Sequence, residues 1–217
     1  MDCGASTLKV AEFESNESGG LRLKKYALKS LGMEGSFESS RSGAFLKALE
    51  DIFSNNQFSS KKVNICAPGF NVFTKFVKLP PVDSTKITQI VQFEAQQNVP
   101  FPLEEVVWDY QIVGTSSTGE FEVLLVAIKS DVIENLFHDI EKIGLIPQIV
   151  DVSTATLSNS FRFNYPDLDG CTMLLDIGAK TSNLMFFEKE KFFARNINIG
   201  MNLITQEFAN ESRLPIA

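Results

Sequence analysis

Histidine, cysteine and tryptophan are scarce in this chain of 217 residues, which holds one, three and one of them. His138 is the lone histidine and reads as a solvated helix residue, which argues against a Ser/His/Asp or Cys/His triad and the common nucleophilic hydrolases. Cys3, Cys66 and Cys171 stand too far apart for a zinc quartet, and their odd number leaves no closed disulfide framework. Each has apolar, strand-forming neighbours and is expected to be a small buried thiol, which suits a reducing cytosol. No glycine-rich loop ends in the lysine of a P-loop, so that class of nucleotide enzyme is excluded too. Long apolar runs are also missing, and none approaches the roughly 20 residues needed to span a bilayer. The start, Met1-Asp2-Cys3-Gly4, lacks the basic-then-apolar pattern of a signal peptide. The expectation is a cytoplasmic protein with no direct membrane insertion. Positive charge is in deficit, with 20 basic against 27 acidic residues and a net charge of −7. Such a surface repels phosphate backbones and argues against a nucleic-acid partner.

What is present is an ordinary globular composition, 44% hydrophobic and 22% charged. A chain of this length buries roughly 70% of its unfolded surface and needs no metal or disulfide for a core. Strands are expected at 7–14 and 21–29 around the turn Ser15-Asn16-Glu17-Ser18-Gly19-Gly20. Phe45, Leu46, Leu49, Ile52 and Phe53 then recur on one stripe of a helix. Strands at 63–67 and 72–79 end at Pro68-Gly69 and Pro80-Pro81. A helix over 83–98 follows, capped by Asp83 or Ser84 and stopped by Pro100 and Pro102. Next come a hairpin at 106–113 and 121–129, a helix at 130–143, a strand at 146–152 and a helix from 153. After the turn-rich connector 164–170, strands are expected at 171–176, 181–188 and 191–198, and a last helix from Gly200. Hairpins interleaved with helices give an α/β fold.

One internal repeat carries the chemistry. Residues 1–14 align without a gap on residues 175–188, with Asp2/Asp176, Gly4/Gly178, Ala5/Ala179, Thr7/Thr181, Phe13/Phe187 and Glu14/Glu188 identical. Both copies read as a strand ending in Asp, a small-residue turn and a second strand. Gly and Ala let backbone N–H groups approach a phosphate, and a turn presents several of them together. The Asp at the strand end is placed to orient a metal-bound water. Two such units facing one another would grip the phosphate tail of a nucleotide from both sides.

The paired loops look like the phosphate loops of the actin, sugar-kinase and heat-shock-chaperone superfamily. Three further stretches narrow the likeness: Gln92 to Gln111, which contains Val99-Pro100-Phe101-Pro102-Leu103-Glu104-Glu105-Val106; Val123 to Lys129; and Gly144 to Asp151. With Ala194-Arg195-Asn196-Ile197 and Gly200, they resemble the PilM family of actin-like type IV pilus assembly proteins along essentially the whole chain. The resemblance implies an actin-like, ribonuclease H-like fold of two lobes. Residues 1–76 and 149–168 would form subdomain 1A, 77–148 an inserted subdomain 1C, and 169–217 the start of 2A.

It further implies that ATP is held with Mg²⁺ between Asp2, Gly4, Ala5, Ser6, Thr7 and Lys9 on one side and Asp176, Gly178, Ala179, Lys180 and Thr181 on the other. Asp2 and Asp176 would hold the metal through water, and Asp151 would lie near the attacking water. Hydrolysis is expected to be slow or absent. The partner would be the N-terminal tail of a membrane-anchored pilus protein, PilN-like, bound in an apolar groove and tethering the chain to the inner membrane. Homo-oligomers are compatible with the resemblance. A division protein of FtsA type, a type II secretion relative and a small-molecule kinase of the superfamily stay open as alternatives. By the repeat's own symmetry the second lobe is incomplete, with 49 residues after position 168, so weak ATP binding is expected of residues 1–217.

Three residues are candidate partner contacts. Glu94 falls inside the apolar face of helix 83–98, Phe93 projects from its polar side, and Phe101 sits between two prolines. A partly buried carboxylate must find hydrogen-bond donors, so Glu94 either bonds within its subdomain or anchors a peptide. His138 lies off the stripe of its helix and is expected to be solvated.

Overall fold

The computed structural model describes every residue except Ser18, Asp83, Glu190, Ile216 and Ala217. The expected helix cap at Asp83 therefore lies outside the described residues, as does the side chain of Ser84. In chain order the elements are β1 (Asp2–Cys3), β2 (Thr7–Ser15), β3 (Leu21–Ser30), α1 (Glu38–Asn55), β4 (Lys62–Cys66), β5 (Val72–Leu79), α2 (Ser84–Asn98), β6 (Val106–Thr115), β7 (Phe121–Lys129), α3 (Ser130–Lys142), β8 (Ile146–Asp151), α4 (Ser153–Asn164), β9 (Cys171–Ile177), β10 (Ser182–Glu188), β11 (Lys191–Ile197) and α5 (Met201–Ser212).

The first sheet has the order β3-β2-β1-β4-β8, with β1, β4 and β8 parallel, β2 antiparallel to β1, and β3 antiparallel to β2. This is the mixed order of a ribonuclease H-like lobe. Leu8 and Val10 point to one face of β2 and pack with Phe45, Leu49 and Ile52 of α1 and Leu136 and Ile140 of α3. Leu8, Leu49 and Ile140 are fully buried, each contributing roughly 1.5–3 kcal/mol by leaving water. Asp139 is buried between the same helices, where Ser42 Oγ donates to it at 2.7 Å and Lys142 lies 3.5 Å away.

A second sheet, β5-β7-β6, has its own core, in which Val77, Leu79, Val123, Leu125 and Ala127 pack on Ile87, Val91 and Ala95 of α2. The helix α3 that follows this sheet faces two ways: its Leu136 and Ile140 join the core of the first lobe, while Ile133 lies against Ile128 of β7. The third sheet, β11-β10-β9, repeats the order of β3-β2-β1. Its Met185, Phe187, Phe192 and Ala194 are buried against Val113 and Leu124 of the inserted sheet and against Leu157 and Phe161 of α4.

The two copies of the repeat differ in what covers them. Phe187 is buried and stacked on Phe161 with ring centroids 4.4 Å apart, whereas its counterpart Phe13 is exposed. Around Phe13, Leu21, Leu23, Tyr26 and Leu28 form an exposed apolar face, kept continuous by a bulge in β3 at Lys24. The thiols depart from expectation as well. Cys3 is buried and Cys66 partly so, but Cys171 is exposed because it begins an edge strand of the three-stranded sheet. His138 is exposed, as its position off the α3 stripe suggested.

Candidate functional site

Both copies of the repeat fold into the same tight hairpin. In the first, Asp2 pairs with Lys9 across β1 and β2; in the second, Asp176 pairs with Asn183 across β9 and β10, at the same spacing. A Cβ on Gly4 would stand 2.8 Å from Thr7 O, and one on Gly178 2.7 Å from Thr181 O, so each turn closes only around glycine. The paired side chains also correspond. Lys9 Nζ donates to Asp2 Oδ2 at 2.8 Å, and Asn183 Nδ2 donates to Asp176 Oδ2 at 3.0 Å. The first loop thus carries a cation where the second carries a neutral amide.

The carbonyls behind the loops are satisfied differently in the two lobes. Arg41 of α1 donates to Cys3 O at 2.8 Å, Gly4 O at 3.1 Å and Gly35 O at 2.7 Å. In the second lobe the first N–H groups of α5 take that part, with Met201 N to Gly178 O and Asn202 N to Ala179 O both at 2.9 Å. Those groups lack intrahelical partners at a helix start, so the loop and the helix satisfy one another. A glycine presses on each loop from behind: a Cβ on Gly35 would meet Ala5 O at 2.4 Å, and one on Gly200 would meet Ala179 O at 2.6 Å.

Between the lobes lies a cleft of about 1040 Å³. Its walls include Asp2, Gly4, Ala5, Ser6, Thr7, Lys9, Asp151, Asp176, Gly178, Ala179, Lys180 and Thr181, so the expected phosphate-loop residues and Asp151 share one cavity. The volume lies at the upper end of the usual range for ligand pockets. Three carboxylates enter this space, two of them at the ends of equivalent strands.

Lys9 has its pKa raised, first by the hydrogen bond it donates to Asp2 and also by the charges of Asp2 and of Asp176 across the cleft. Asp151 Oδ1 accepts from Val152 N at 2.8 Å at the head of α4. Lys180 donates to Ser36 O at 3.1 Å, with its ammonium 4.4 Å from the centroid of the Phe70 ring. Burial pushes the Cys3 thiol up to about 12 and raises Cys66, so neither is a nucleophile at neutral pH.

Sequence reasoning missed Arg41, Gly35, Phe70, Ser153 and Asn183. Asn183 is buried, donates to Asp176, and accepts at Oδ1 from Asn196 Nδ2 at 3.2 Å and from Ser153 Oγ at 3.5 Å. Its alignment with Lys9 was the signal that could have revealed it. Among the described residues no three His, Cys, Asp or Glu side chains gather as a metal cage. Two separated carboxylates suit a magnesium ion that keeps its waters and arrives with phosphates.

The expected partner residues lie outside this cleft. Phe93 on α2 is 57% exposed, and Phe101 is 38% exposed with Lys129 Nζ 4.9 Å from its ring centroid. Glu94 finds its donor one helical turn on, where Asn98 Nδ2 reaches Glu94 Oε2 at 3.0 Å. Among the described residues no helix is long and apolar enough to cross a membrane.

The family model described as type IV pilus assembly protein PilM matches residues 1–215. Among solved structures, the fold is similar to a PilM-PilN type IV pilus biogenesis complex, with TM-score 0.80 and 22% identity over 99% of this chain. The chain spans 65% of that protein's length. It is also similar, with TM-score 0.56 and 10% identity, to the cytoplasmic domain of EpsL, an inner-membrane component of the type II secretion system of Vibrio cholerae, covering 96% of this chain and 73% of that one. At these identities the structural likenesses speak for an actin-like fold.

Proposed function

The chain belongs to the PilM family of type IV pilus assembly proteins, and from that premise we propose that it is an ATP-binding scaffold that captures a pilus protein's tail. The observation that carries the nucleotide reading is the duplicated hairpin: two copies of one Asp-turn-strand unit, in the same register, open onto one cleft. Backbone N–H groups of the turns at 4–7 and 178–181 would hold the phosphates, with Lys9 as the local cation. Asp2 and Asp176 would orient waters of a magnesium ion, whose chemistry is to neutralise phosphate charge and polarise a phosphoryl oxygen. Asp151 stands at the cleft wall where it could hold an attacking water. On this reading the site binds and switches, with hydrolysis slow or absent.

The second half of the reading is the partner. A PilM-PilN complex is among the similar solved structures, and by analogy the N-terminal tail of a membrane-anchored, PilN-like protein would be the ligand here. Phe93 and Phe101, exposed at two places on the inserted unit, are the proposed apolar anchors, with Glu94 beside the first. Such a tail would hold the chain at the inner membrane. The nucleotide claim is tested by titration calorimetry with Mg·ATP. Asp176→Ala should weaken binding at least tenfold, about 1.4 kcal/mol. Unchanged binding would remove the assignment of the second loop.

A further inference from the structure

The turn Gly69–Asn71 is where the three sheets meet. It leaves β4 of the first lobe, passes the chain to β5 of the inserted sheet, and lies against the second loop. A Cβ on Gly69 would come within 3.2 Å of Ser153 Oγ, 3.5 Å of Thr181 Oγ1 and 3.9 Å of Asn196 Nδ2. The ring of Phe70 beside it has Lys180 Nζ at 4.4 Å and the Arg41 guanidinium carbon at 5.1 Å from its centroid. Arg41 is bonded to the backbone of the first loop, and Lys180 belongs to the second. The same end of the cleft is bridged by Lys180 Nζ to Ser36 O at 3.1 Å and Asn202 Nδ2 to Ser36 Oγ at 3.0 Å. One aromatic ring, at the root of the inserted sheet, is therefore attached to both loops through two cations.

We propose that Phe70 is a positioning residue that latches the two loops together in the ligand-free chain and couples their occupancy to the inserted sheet through β5. The coupling rests on reading the cleft as a polyphosphate site. A polyphosphate competes with the Phe70 ring and the Ser36 carbonyl for one ammonium, that of Lys180. When Lys180 moves to the phosphate, the ring keeps only Arg41, and the turn that starts β5 loses its tie to the second lobe. Partner binding on the inserted unit would then respond to what fills the cleft 

without any contact between the two ligands.

The test is amide hydrogen exchange on the whole chain for wild type, Phe70→Leu and Phe70→Trp. Leucine keeps an apolar side chain but has no ring face, and tryptophan offers the stronger one. Protection of α1 serves as the check that each variant is folded. In the ligand-free state Phe70→Leu should speed exchange at 33–37 and 178–181 by about two- to fivefold, the range expected of an exposed cation–aromatic contact. Phe70→Trp should restore wild-type protection. Equal exchange in all three proteins, or equal loss in both variants, would overturn the latch. Millimolar inorganic tripolyphosphate should then change exchange in 72–79 of wild type and leave that of Phe70→Leu unmoved. The same change in both would overturn the coupling. Absence of tripolyphosphate binding by wild type would overturn the coupling together with the polyphosphate reading, while the ligand-free comparison decides the latch by itself.

Discussion

Replacing Gly200 by alanine adds one methyl group where the backbone of the second loop leaves no room. The new Cβ would stand 2.6 Å from Ala179 C, 2.6 Å from Ala179 O and 2.6 Å from Lys180 N. Carbon contacts are comfortable only at about 3.5–4.0 Å. All three obstacles are main chain, so no rotamer change relieves them. Gly200 has φ −135° and ψ −179°, extended backbone that alanine adopts without strain, and the cost is therefore steric alone. Overpacking by one methyl typically costs about 1–3 kcal/mol. A chain of this size loses roughly 2–4 °C of Tm per kcal/mol, so a fall of about 2–12 °C is expected. Relaxation must push α5 off the loop, lengthening the bonds from Met201 N and Asn202 N, and Mg·ATP affinity should fall with the melting temperature. Gly43→Ala is the matched control, because nothing lies within 4 Å of its Cβ and it sits inside α1. Removing glycine from a helix interior should stabilise by roughly 0.5–1 kcal/mol. Scanning calorimetry on the three proteins decides the matter. A Gly200→Ala protein that melts no lower than wild type would refute the seating of α5 on the loop.

Three further outcomes follow from the same structure. At pH 8 a thiol reagent should modify exposed Cys171 in the native chain and leave Cys3, whose thiol is pushed up to about 12, until the protein unfolds; immediate labelling of Cys3 would contradict its burial. Asn183→Leu strands the Asp176 carboxylate and the Asn196 amide, and urea denaturation should show a loss of about 1–3 kcal/mol; an unchanged midpoint would mean that this network contributes nothing. A synthetic N-terminal tail of a PilN-like protein should change Trp108 fluorescence without nucleotide, and Phe101→Ala should weaken it by about 2 kcal/mol or more if Phe101 is an anchor; wild-type affinity in that variant would move the groove elsewhere on the inserted unit.

The parts of the fold that were legible in the sequence are those with local causes. Alternation, turn residues and prolines marked the strands and helices, and the gapless repeat of 1–14 on 175–188 located both loops and predicted their shared register. What stayed hidden depends on distant segments meeting. Nothing near Arg41 announces that its guanidinium holds the first loop, because the contact crosses from α1 to β1. The second loop solves the same problem with helix N–H groups, so the repeat could not reveal the arginine. Which core the stripe of α3 serves was not legible either, because an ordinary amphipathic helix fits both; Leu136 and Ile140 pack with α1 while Ile133 lies against Ile128 of β7. Cys171 and Cys3 both fall in segments that read as strands, yet one begins an edge strand and the other lies in a covered sheet.

The central claim is that both copies of the hairpin hold one phosphate tail. It is tested most directly by the backbone amide resonances of Ala5 and Ser6 in the first loop and Ala179 and Lys180 in the second during titration of the ¹⁵N-labelled chain with Mg·ATP. The titration is carried to millimolar ligand so that a weak site would also saturate. The prediction is that the four amides shift along one saturation curve with a single Kd, and that inorganic tripolyphosphate moves the same set. Shifts confined to one loop, or separate curves for the two, would contradict it.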